Sequence, residues 1–335
     1  MRIFITGAAG YLGSALAKKL IEGGSKALLF DSLAYEQSRF RLQKCLEAYS
    51  ASYDFKIGDI RNKQYVETLI HEFQPDAFVH FGDLSSVWSC NHNPTYSHDV
   101  SVFGTKGIID LCQSFDIPLL YNSSSSLYGV SSEKKLLSEG DLPSEFTDLY
   151  CSGKYSMEQY LAEVKRKHSN FRYIAFRPAT VFGVSDRFRI ELLPNHFSFS
   201  ALSSGQIGVA DLNAYRAFIS VETLVTVYSE VLSKFFFPSD VFNIGTYNLT
   251  KMEVALAVQR STECKINTIP DFGDMRNLQI STEKFEKAFG FKREYDFDEE
   301  ITKVVDWLAP RWLAFKKNDF SEMLNMPLDR WLKLN

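Results

Sequence analysis

A glycine-rich turn lies between an apolar strand and a helix at the start of this chain. Arg2–Thr6 has the pattern of a short buried strand, and it runs directly into Gly7-Ala8-Ala9-Gly10-Tyr11-Leu12-Gly13, where a helix over Leu12–Ile21 is predicted. With this spacing the first glycine allows a tight turn, the second lets the backbone approach a pyrophosphate, and the third lets the helix pack close to the strand. The N–H groups at the helix start favour phosphate oxygens, so the segment predicts a dinucleotide site. The residues expected to contact the dinucleotide are Gly7, Ala9, Gly10, Tyr11, Leu12 and Gly13.

Acidic residues follow the next two predicted strands. Asp31 directly follows the strand Ala27–Phe30 and lies 18 residues past the last glycine of the turn. A carboxylate there holds both ribose hydroxyls of NAD and repels the 2′-phosphate of NADP, although a helix cap or a turn is the alternative role. After the strand Asp54–Ile57, the spacing places Asp59 and Ile60 near the adenine. The sequence therefore predicts NAD as the cofactor.

Short apolar strands continue to alternate with helical segments through the first half of the chain. Because strands that are apolar throughout are covered on both faces, this alternation predicts an α/β fold with a doubly wound, Rossmann-type parallel sheet. The ligand crevice of such a sheet lies at the carboxyl ends of its strands. Further predicted strands are Ala77–Phe81, Pro118–Tyr121 and Phe171–Phe176, and further predicted helices are Lys63–Phe73, Val102–Phe115 and Tyr150–Lys167.

The alternation weakens after Gly183. Residues 185–215 carry scattered charges, serine and glycine, and they are predicted to be irregular. Helical periodicity then returns, which indicates a second, smaller α/β domain packed beside the strand ends. The predicted domains are residues 1–183, which bind NAD and are joined by some later segments, and residues 184–335, which bind the substrate and include the C-terminal tail. The later predicted helices are Val221–Lys234, Lys251–Arg260, Ser281–Phe289 and Phe297–Trp307.

Composition argues against several classes of protein. The chain has 37 Lys+Arg and 41 Asp+Glu, a net charge of −4, so it lacks the basic excess that favours a nucleic-acid partner. No apolar run reaches the roughly 18 residues that span a bilayer, and the N-terminus does not resemble a signal peptide. The five cysteines are widely spaced and include no C-x-x-C pair, which argues against a disulfide framework and a zinc site. We therefore expect a cytoplasmic protein with no bound metal and no membrane association.

Tyr150 and Lys154 lie four residues apart and so share one face of a predicted helix. A phenol with the ordinary pKa near 10 is a poor base at neutral pH, but an adjacent ammonium and an oxidised nicotinamide both lower that pKa. A serine-rich run, Asn122–Gly129, follows the fifth strand, where its hydroxyls emerge at the ligand-binding edge. One of them could hydrogen-bond a substrate alcohol or carbonyl; the alternative is a polar loop that caps backbone groups.

Together these motifs resemble the extended short-chain dehydrogenase/reductase family, in particular its NAD-dependent epimerase/dehydratase branch, which acts on nucleotide sugars. The resemblance covers most of the chain, and it implies an α/β enzyme that binds NAD and a nucleotide-diphosphate sugar, commonly as a homodimer. Further segments that carry it are Arg177–Gly183, Arg216–Val221, Asn243–Gly245 and Asp274–Arg276.

The resemblance also implies roles for individual residues. Tyr150 corresponds to the catalytic base and Lys154 to its partner, and Ser124 corresponds to the catalytic Ser/Thr of the family. Tyr150 and Lys154 are also expected to contact the cofactor. Ser125 and Ser126 are close enough to remain alternatives, and both are expected near the substrate. Residues expected to hold the nucleotide diphosphate or the sugar are Asn195, Arg216 and Arg276.

Departures from the family pattern narrow the expected reaction. The 4,6-dehydratases of the family generally have an acid after the catalytic Ser/Thr, where this chain has Ser125 and Ser126. UDP-galactose 4-epimerases usually have a lysine after the fourth strand, where this chain has Ser85. These two differences argue against a standard 4,6-dehydratase and against a standard UDP-galactose 4-epimerase. The segment Ala179–Asn195 is most similar to sugar epimerases and dehydrogenases of bacterial surface-polysaccharide biosynthesis.

The expected activity is that of an NAD-dependent nucleotide-sugar epimerase or 4-dehydrogenase. Such an enzyme oxidises the sugar C4 hydroxyl by hydride transfer to NAD, with Tyr150 as the base. The alternatives are a nucleotide-sugar dehydratase and a regulatory protein that binds NAD without catalysis, since a fold alone does not determine function.

Overall fold

The computed structural model describes residues 1–33, 42–43, 45–85, 87–129, 135–146, 148–270, 277–291 and 295–312. Its strands are β1 (Arg2–Thr6), β2 (Lys26–Asp31), β3 (Tyr53–Ile57), β4 (Ala77–His80), β5 (Leu119–Asn122), β6 (Leu136–Leu137), β7 (Tyr173–Pro178), β8 (Thr180–Phe182), β9 (Gln206–Val209), β10 (Tyr215–Ser220), β11 (Asp240–Ile244), β12 (Tyr247–Thr250), β13 (Lys265–Thr268) and β14 (Gln279–Ile280). Its α-helices are α1 (Tyr11–Glu22), α2 (Lys63–Phe73), α3 (Val87–His92), α4 (Pro94–His98), α5 (Thr105–Ser114), α6 (Leu149–Lys167), α7 (Leu193–Ser204), α8 (Val221–Lys234), α9 (Lys251–Thr262), α10 (Glu283–Phe289) and α11 (Phe297–Leu308).

The central sheet has seven parallel strands in the order β11-β7-β5-β4-β1-β2-β3. The chain adds β2 and β3 on one side of β1 and then crosses to the other side, where β4 pairs with β1. In doubly wound sheets the crevice outside this reversal point is the ligand site. The fold class predicted from the sequence is confirmed.

Helices cover both faces of this sheet. On one face Ile3 and Ile5 of β1 pack with Leu16 of α1 and with apolar residues of α8. On the other face Phe4 packs with Phe78 of β4 and with apolar residues of α2, α5 and α6. Successive residues of a strand point to opposite faces, so a strand that is apolar throughout belongs in the middle of such a sandwich.

A third apolar cluster lies in the second half of the chain, among α7, α9, α11 and two small sheets, β12-β10-β8 and β13-β9. The prediction that residues 185–215 are irregular is wrong, because this stretch contains α7 and β9. Apolar and small residues of α7 are buried on several sides, so the helix shows no single apolar stripe. Its serines also fit a helix, since the Ser198 hydroxyl donates to the Pro194 carbonyl oxygen at 2.8 Å.

The two halves of the chain are linked near the glycine turn. β11 returns to the central sheet beside β7, although it follows Gly183 in sequence. The Tyr11 hydroxyl donates to the Gly183 carbonyl oxygen at 2.8 Å, and the Ser185 hydroxyl donates to the Tyr11 carbonyl oxygen at 2.7 Å. The domain boundary at residue 183 stays a prediction.

Within the described ranges, no helix is long and apolar enough to cross a membrane.

Candidate active site

A cavity of about 640 Å³ opens at the carboxyl ends of strands β1 to β5 and is closed on its far side by the second half of the chain. Its volume is in the range of ligand-binding clefts. The turns after all five strands line it, and they meet there because parallel strands end at one edge of the sheet. The predicted cofactor residues that line this cavity are Gly7, Ala9, Gly10, Tyr11, Leu12, Gly13, Asp31, Asp59, Ile60, Tyr150 and Lys154.

The glycine turn has no room for side chains at two of its positions. Gly7 has a φ of +66°, and a Cβ atom there would lie 2.5 Å from the carbonyl oxygen of Phe81. A Cβ atom on Gly13 would lie 2.1 Å from the carbonyl oxygen of Gly7. No side chain caps the start of α1 at Gly10, and the first turn of the helix has no acidic residue. This cradle therefore fits the pyrophosphate of a dinucleotide.

Replacing Gly13 by Ala should weaken NAD binding at least tenfold and lower the thermal midpoint of unfolding, because the added methyl group pushes α1 away from β1. Calorimetric titration with NAD and thermal unfolding measure the two effects. The matched control is Gly107→Ala, whose Cβ atom would meet only the Lys63 side chain at an ordinary 3.8 Å. A Gly13→Ala protein that binds NAD as tightly as the control would contradict this account of the turn.

Asp31 lies over the glycine turn at the end of β2. One carboxylate oxygen accepts a hydrogen bond from the Ala9 amide at 3.0 Å, and the other accepts one from the Leu33 amide at 2.8 Å. Burial raises the pKa of Asp31, and these bonds and the charge of Arg187 oppose that rise. The bond to Leu33 is the kind of turn interaction that the sequence left open as an alternative role for Asp31. Asp31 also lines the cavity, as a residue that binds the ribose of NAD must do.

Tyr150, Lys154 and Ser124 are brought together at the edge of the sheet. Asp148 caps α6 by accepting a hydrogen bond from the Cys151 amide at 2.8 Å, which places Tyr150 in the first turn and Lys154 one turn later. The Lys154 nitrogen lies 5.9 Å from the centre of the Tyr150 ring. The Ser124 side chain lies close enough to Tyr150 to lower the pKa of its hydroxyl, and it accepts a hydrogen bond from the Ser126 amide at 3.1 Å.

Lys154 is held by groups that the sequence did not point to. Its nitrogen lies 2.9 Å from a carboxylate oxygen of Asp83, and only 5% and 6% of these two side chains is exposed. The same nitrogen donates to the carbonyl oxygen of Asn122 at 2.6 Å. Burial alone lowers the pKa of a lysine, but the charge of Asp83 overcomes this and raises the pKa of Lys154. Lys154 is therefore an ammonium at neutral pH.

The pKa of Tyr150 differs from the expectation for an isolated Tyr–Lys pair. Burial raises it above its ordinary value, although the charge of Lys154 and the hydrogen bond with Ser124 act in the opposite direction. Asp83 adds to the rise because a carboxylate disfavours a neighbouring phenolate. The phenol is thus protonated at neutral pH in the protein alone.

Some of the residues predicted to bind substrate lie elsewhere. Ser126 lines the cavity but Ser125 does not, since its side chain is buried in the short 3-10 turn after β5. Asn195 is fully buried behind the wall, where it accepts a hydrogen bond from the Gly183 amide and donates to the Arg189 carbonyl oxygen. Its contact with the diphosphate or the sugar stays a prediction. Arg276 lies outside the described residues.

The far wall of the cavity is rich in positive charge. Arg216, predicted from the sequence, lines it and is 7% exposed. Arg187, Arg189 and Lys251 also line the cavity and were not predicted; Arg187 is close enough to Asp31 for its charge to act on that carboxylate. Arg189 is paired with Glu191 at 2.7 Å, and Lys251 is paired with Asp211 at 3.1 Å. An Arg-x-Arg spacing at residues 187–189 was the available signal, but a pair of arginines in a segment predicted as irregular indicates no particular site.

Comparisons with known proteins show the family and agree with the fold. The model of the NAD dependent epimerase/dehydratase family matches residues 3–245. The bifunctional UDP-glucose 4-epimerase and UDP-xylose 4-epimerase 3 of Arabidopsis thaliana is 24% identical over 343 residues, covering 94% of this chain and 97% of that protein. The UDP-glucose 4-epimerase of Thermus thermophilus, solved with NAD, is 22% identical with a TM-score of 0.76, covering 91% of this chain and 98% of that one. The dTDP-glucose 4,6-dehydratase of Bacillus anthracis, also solved with NAD, is 22% identical with a TM-score of 0.79, covering 95% and 97%.

The sheet, the glycine turn and the Ser–Tyr–Lys group at its edge define an NAD-dependent enzyme of the extended short-chain dehydrogenase/reductase class. Within that class, the chain belongs to the NAD-dependent epimerase/dehydratase family, and NAD is its cofactor. The resemblance stated from the sequence is confirmed.

Proposed function

We propose that this enzyme is a nucleotide-sugar 4-epimerase. The observation that carries the proposal is the combination of a redox-type Ser–Tyr–Lys group with the absence of a carboxylate beside Ser124 among the described cavity residues. Bound NAD supplies the hydride acceptor and donor. Tyr150 takes the proton of the sugar C4 hydroxyl, and Ser124 hydrogen-bonds the same oxygen. Lys154 favours the phenolate by its charge.

The far wall of the cavity supports a diphosphate-containing substrate. Arg216 lines it, and a guanidinium can pair with a phosphate through two parallel hydrogen bonds. A nucleotide sugar held there by its diphosphate would extend its sugar toward Tyr150.

Dehydration would need a further acid and base near the sugar, and the described carboxylates are committed elsewhere. Asp31 and Asp59 lie after β2 and β3, where the adenosine end of NAD is expected. Asp83 is paired with Lys154, and Glu191 is paired with Arg189. This distribution favours epimerisation over the elimination that the similar dTDP-glucose 4,6-dehydratase performs.

The test is product analysis with UDP-, dTDP- and GDP-sugars deuterated at C4, using purified protein and NAD. An epimerase gives a product of unchanged mass that keeps deuterium at C4 with inverted configuration, as NMR would show. Deuterium that accumulates in the reduced cofactor, with a keto sugar that has lost one deuterium and one hydrogen, identifies a 4-dehydrogenase instead. Loss of water identifies a dehydratase and overturns the argument from the carboxylates.

Homodimer formation and a cytoplasmic location stay predictions. Both follow from the family resemblance and the sequence, and each has a direct measurement: sedimentation for the dimer and fractionation of cells for the location.

A further inference from the structure

Three segments that are distant in sequence meet around the carboxylate of Asp83. Asp83 lies three residues after the end of β4, and its carboxylate accepts hydrogen bonds from the Ser101 hydroxyl and from the Leu84 amide. Ser101 lies in a π-helical turn, Asp99–Gly104, that precedes α5. Lys154 on α6 completes the group. Single π-helical turns occur frequently at functional sites, and this one places a hydroxyl against the carboxylate.

The geometry restricts what Lys154 can do. An ammonium has three hydrogen-bond donors, and two are directed at Asp83 and at the Asn122 carbonyl oxygen. Its nitrogen is 2.9 Å from Asp83 but 5.9 Å from the centre of the Tyr150 ring. The phenol therefore faces a buried ion pair of nearly zero net charge and not a lone cation.

We propose that Asp83 is a positioning residue of this active site, which holds the Lys154 ammonium beside Tyr150 and partly cancels its charge there. The inference rests on the proposed role of Tyr150 as the base. It implies that the ammonium alone does not convert the phenol to a phenolate, so that the conversion depends on positive charge brought by the oxidised cofactor.

Within the described ranges, the other titratable groups named around the pair do not supply a compensating charge. Burial lowers the pKa of His80 to about 3, so this residue is neutral. Burial raises the pKa values of Tyr121 and Tyr228, so both are neutral as well. Glu158 is paired with Arg177. Cys90 lies near the pair and Cys151 near Tyr150, and a thiol carries no positive charge.

Titration of Tyr150 in Asp83→Asn tests the proposal without any sugar substrate. The phenol is followed by NMR in protein labelled with ¹³C at the tyrosine Cζ, and Tyr150→Phe assigns its signal. Removing the negative charge favours the phenolate, so the midpoint should fall by about one pH unit, with and without bound NAD. Asp116→Asn is the matched control, because Asp116 has the same side chain but is 61% exposed beside Arg172. It should leave the midpoint unchanged.

Ser101→Ala provides a second variant, which also serves if Asp83→Asn does not fold. Loss of the donated hydrogen bond leaves the carboxylate charge less compensated, so the Tyr150 midpoint should rise by a few tenths of a pH unit. A purely structural disturbance would move both variants in the same direction. An unchanged or higher midpoint in Asp83→Asn, or an unchanged or lower one in Ser101→Ala, overturns the proposal. Because the titration needs no turnover, a failed product assay would count against the proposed function and not against this inference.

Discussion

Replacement of Tyr150 by phenylalanine should lower kcat by about 10²–10⁴-fold, the usual contribution of a positioned acid–base group. The hydroxyl is the only group removed, and the ring still fills its place beside Lys154. NAD affinity and the thermal midpoint of unfolding should therefore stay close to those of the unmodified enzyme. Steady-state kinetics on the sugar nucleotide identified by product analysis measures the loss, and calorimetric titration measures NAD binding.

Tyr160→Phe is the matched control for this experiment. Tyr160 lies on the same helix, and its hydroxyl donates to Asp110 at 2.6 Å, outside the cavity. Loss of that hydroxyl should leave turnover unchanged. If Tyr150→Phe keeps more than a tenth of the original kcat, Tyr150 is not the base, and another group must take the proton.

Local patterns in the sequence were sufficient for six of the seven strands of the central sheet and for the cofactor turn, but not for β11. Apolar strands, glycine spacing and the acidic residue at the end of β2 are all features of short segments, and the structure places the corresponding residues around one cavity. α7 was missed for a related reason. Its burial on several sides removes the apolar stripe that a sequence pattern can reveal, and its serines resemble those of a loop.

The pairing partners of the site could not be predicted in the same way. Asp83 and Lys154 belong to different strand–helix units, and nothing in either local pattern indicates that their side chains meet. The family resemblance identified Lys154 as the partner of Tyr150 but gave no counterion for it. The partners of Asn195 could not be predicted either, because its hydrogen bonds to the Gly183 amide and the Arg189 carbonyl oxygen depend on how this segment folds.

A second buried ion pair lies directly beneath the active site. Arg177 on β7 and Glu158 on α6 form two parallel hydrogen bonds of 2.9 and 2.6 Å, and only 3% and 2% of these side chains is exposed. Glu158 also accepts a hydrogen bond from the hydroxyl of Ser123, the residue immediately before Ser124. Arg177 donates to the Tyr128 hydroxyl at 3.0 Å. The pair thus ties α6, which carries Tyr150, to the serine-rich turn after β5.

Arg177→Met should destabilise the protein by about 3–5 kcal/mol, because it leaves the Glu158 carboxylate buried without a counterion. Glu158→Gln should have a similar cost, since a buried guanidinium then lacks its partner. The double variant should cost clearly less than the sum of the two, because no uncompensated charge remains. Urea unfolding of the three variants measures this coupling.

Glu163→Gln on the same helix is the control, since its pair with Lys167 is exposed and its loss should not move the unfolding midpoint. Additive costs in the double variant would show that the two residues act separately, and the buried pair would then not be what holds α6 against the serine-rich turn.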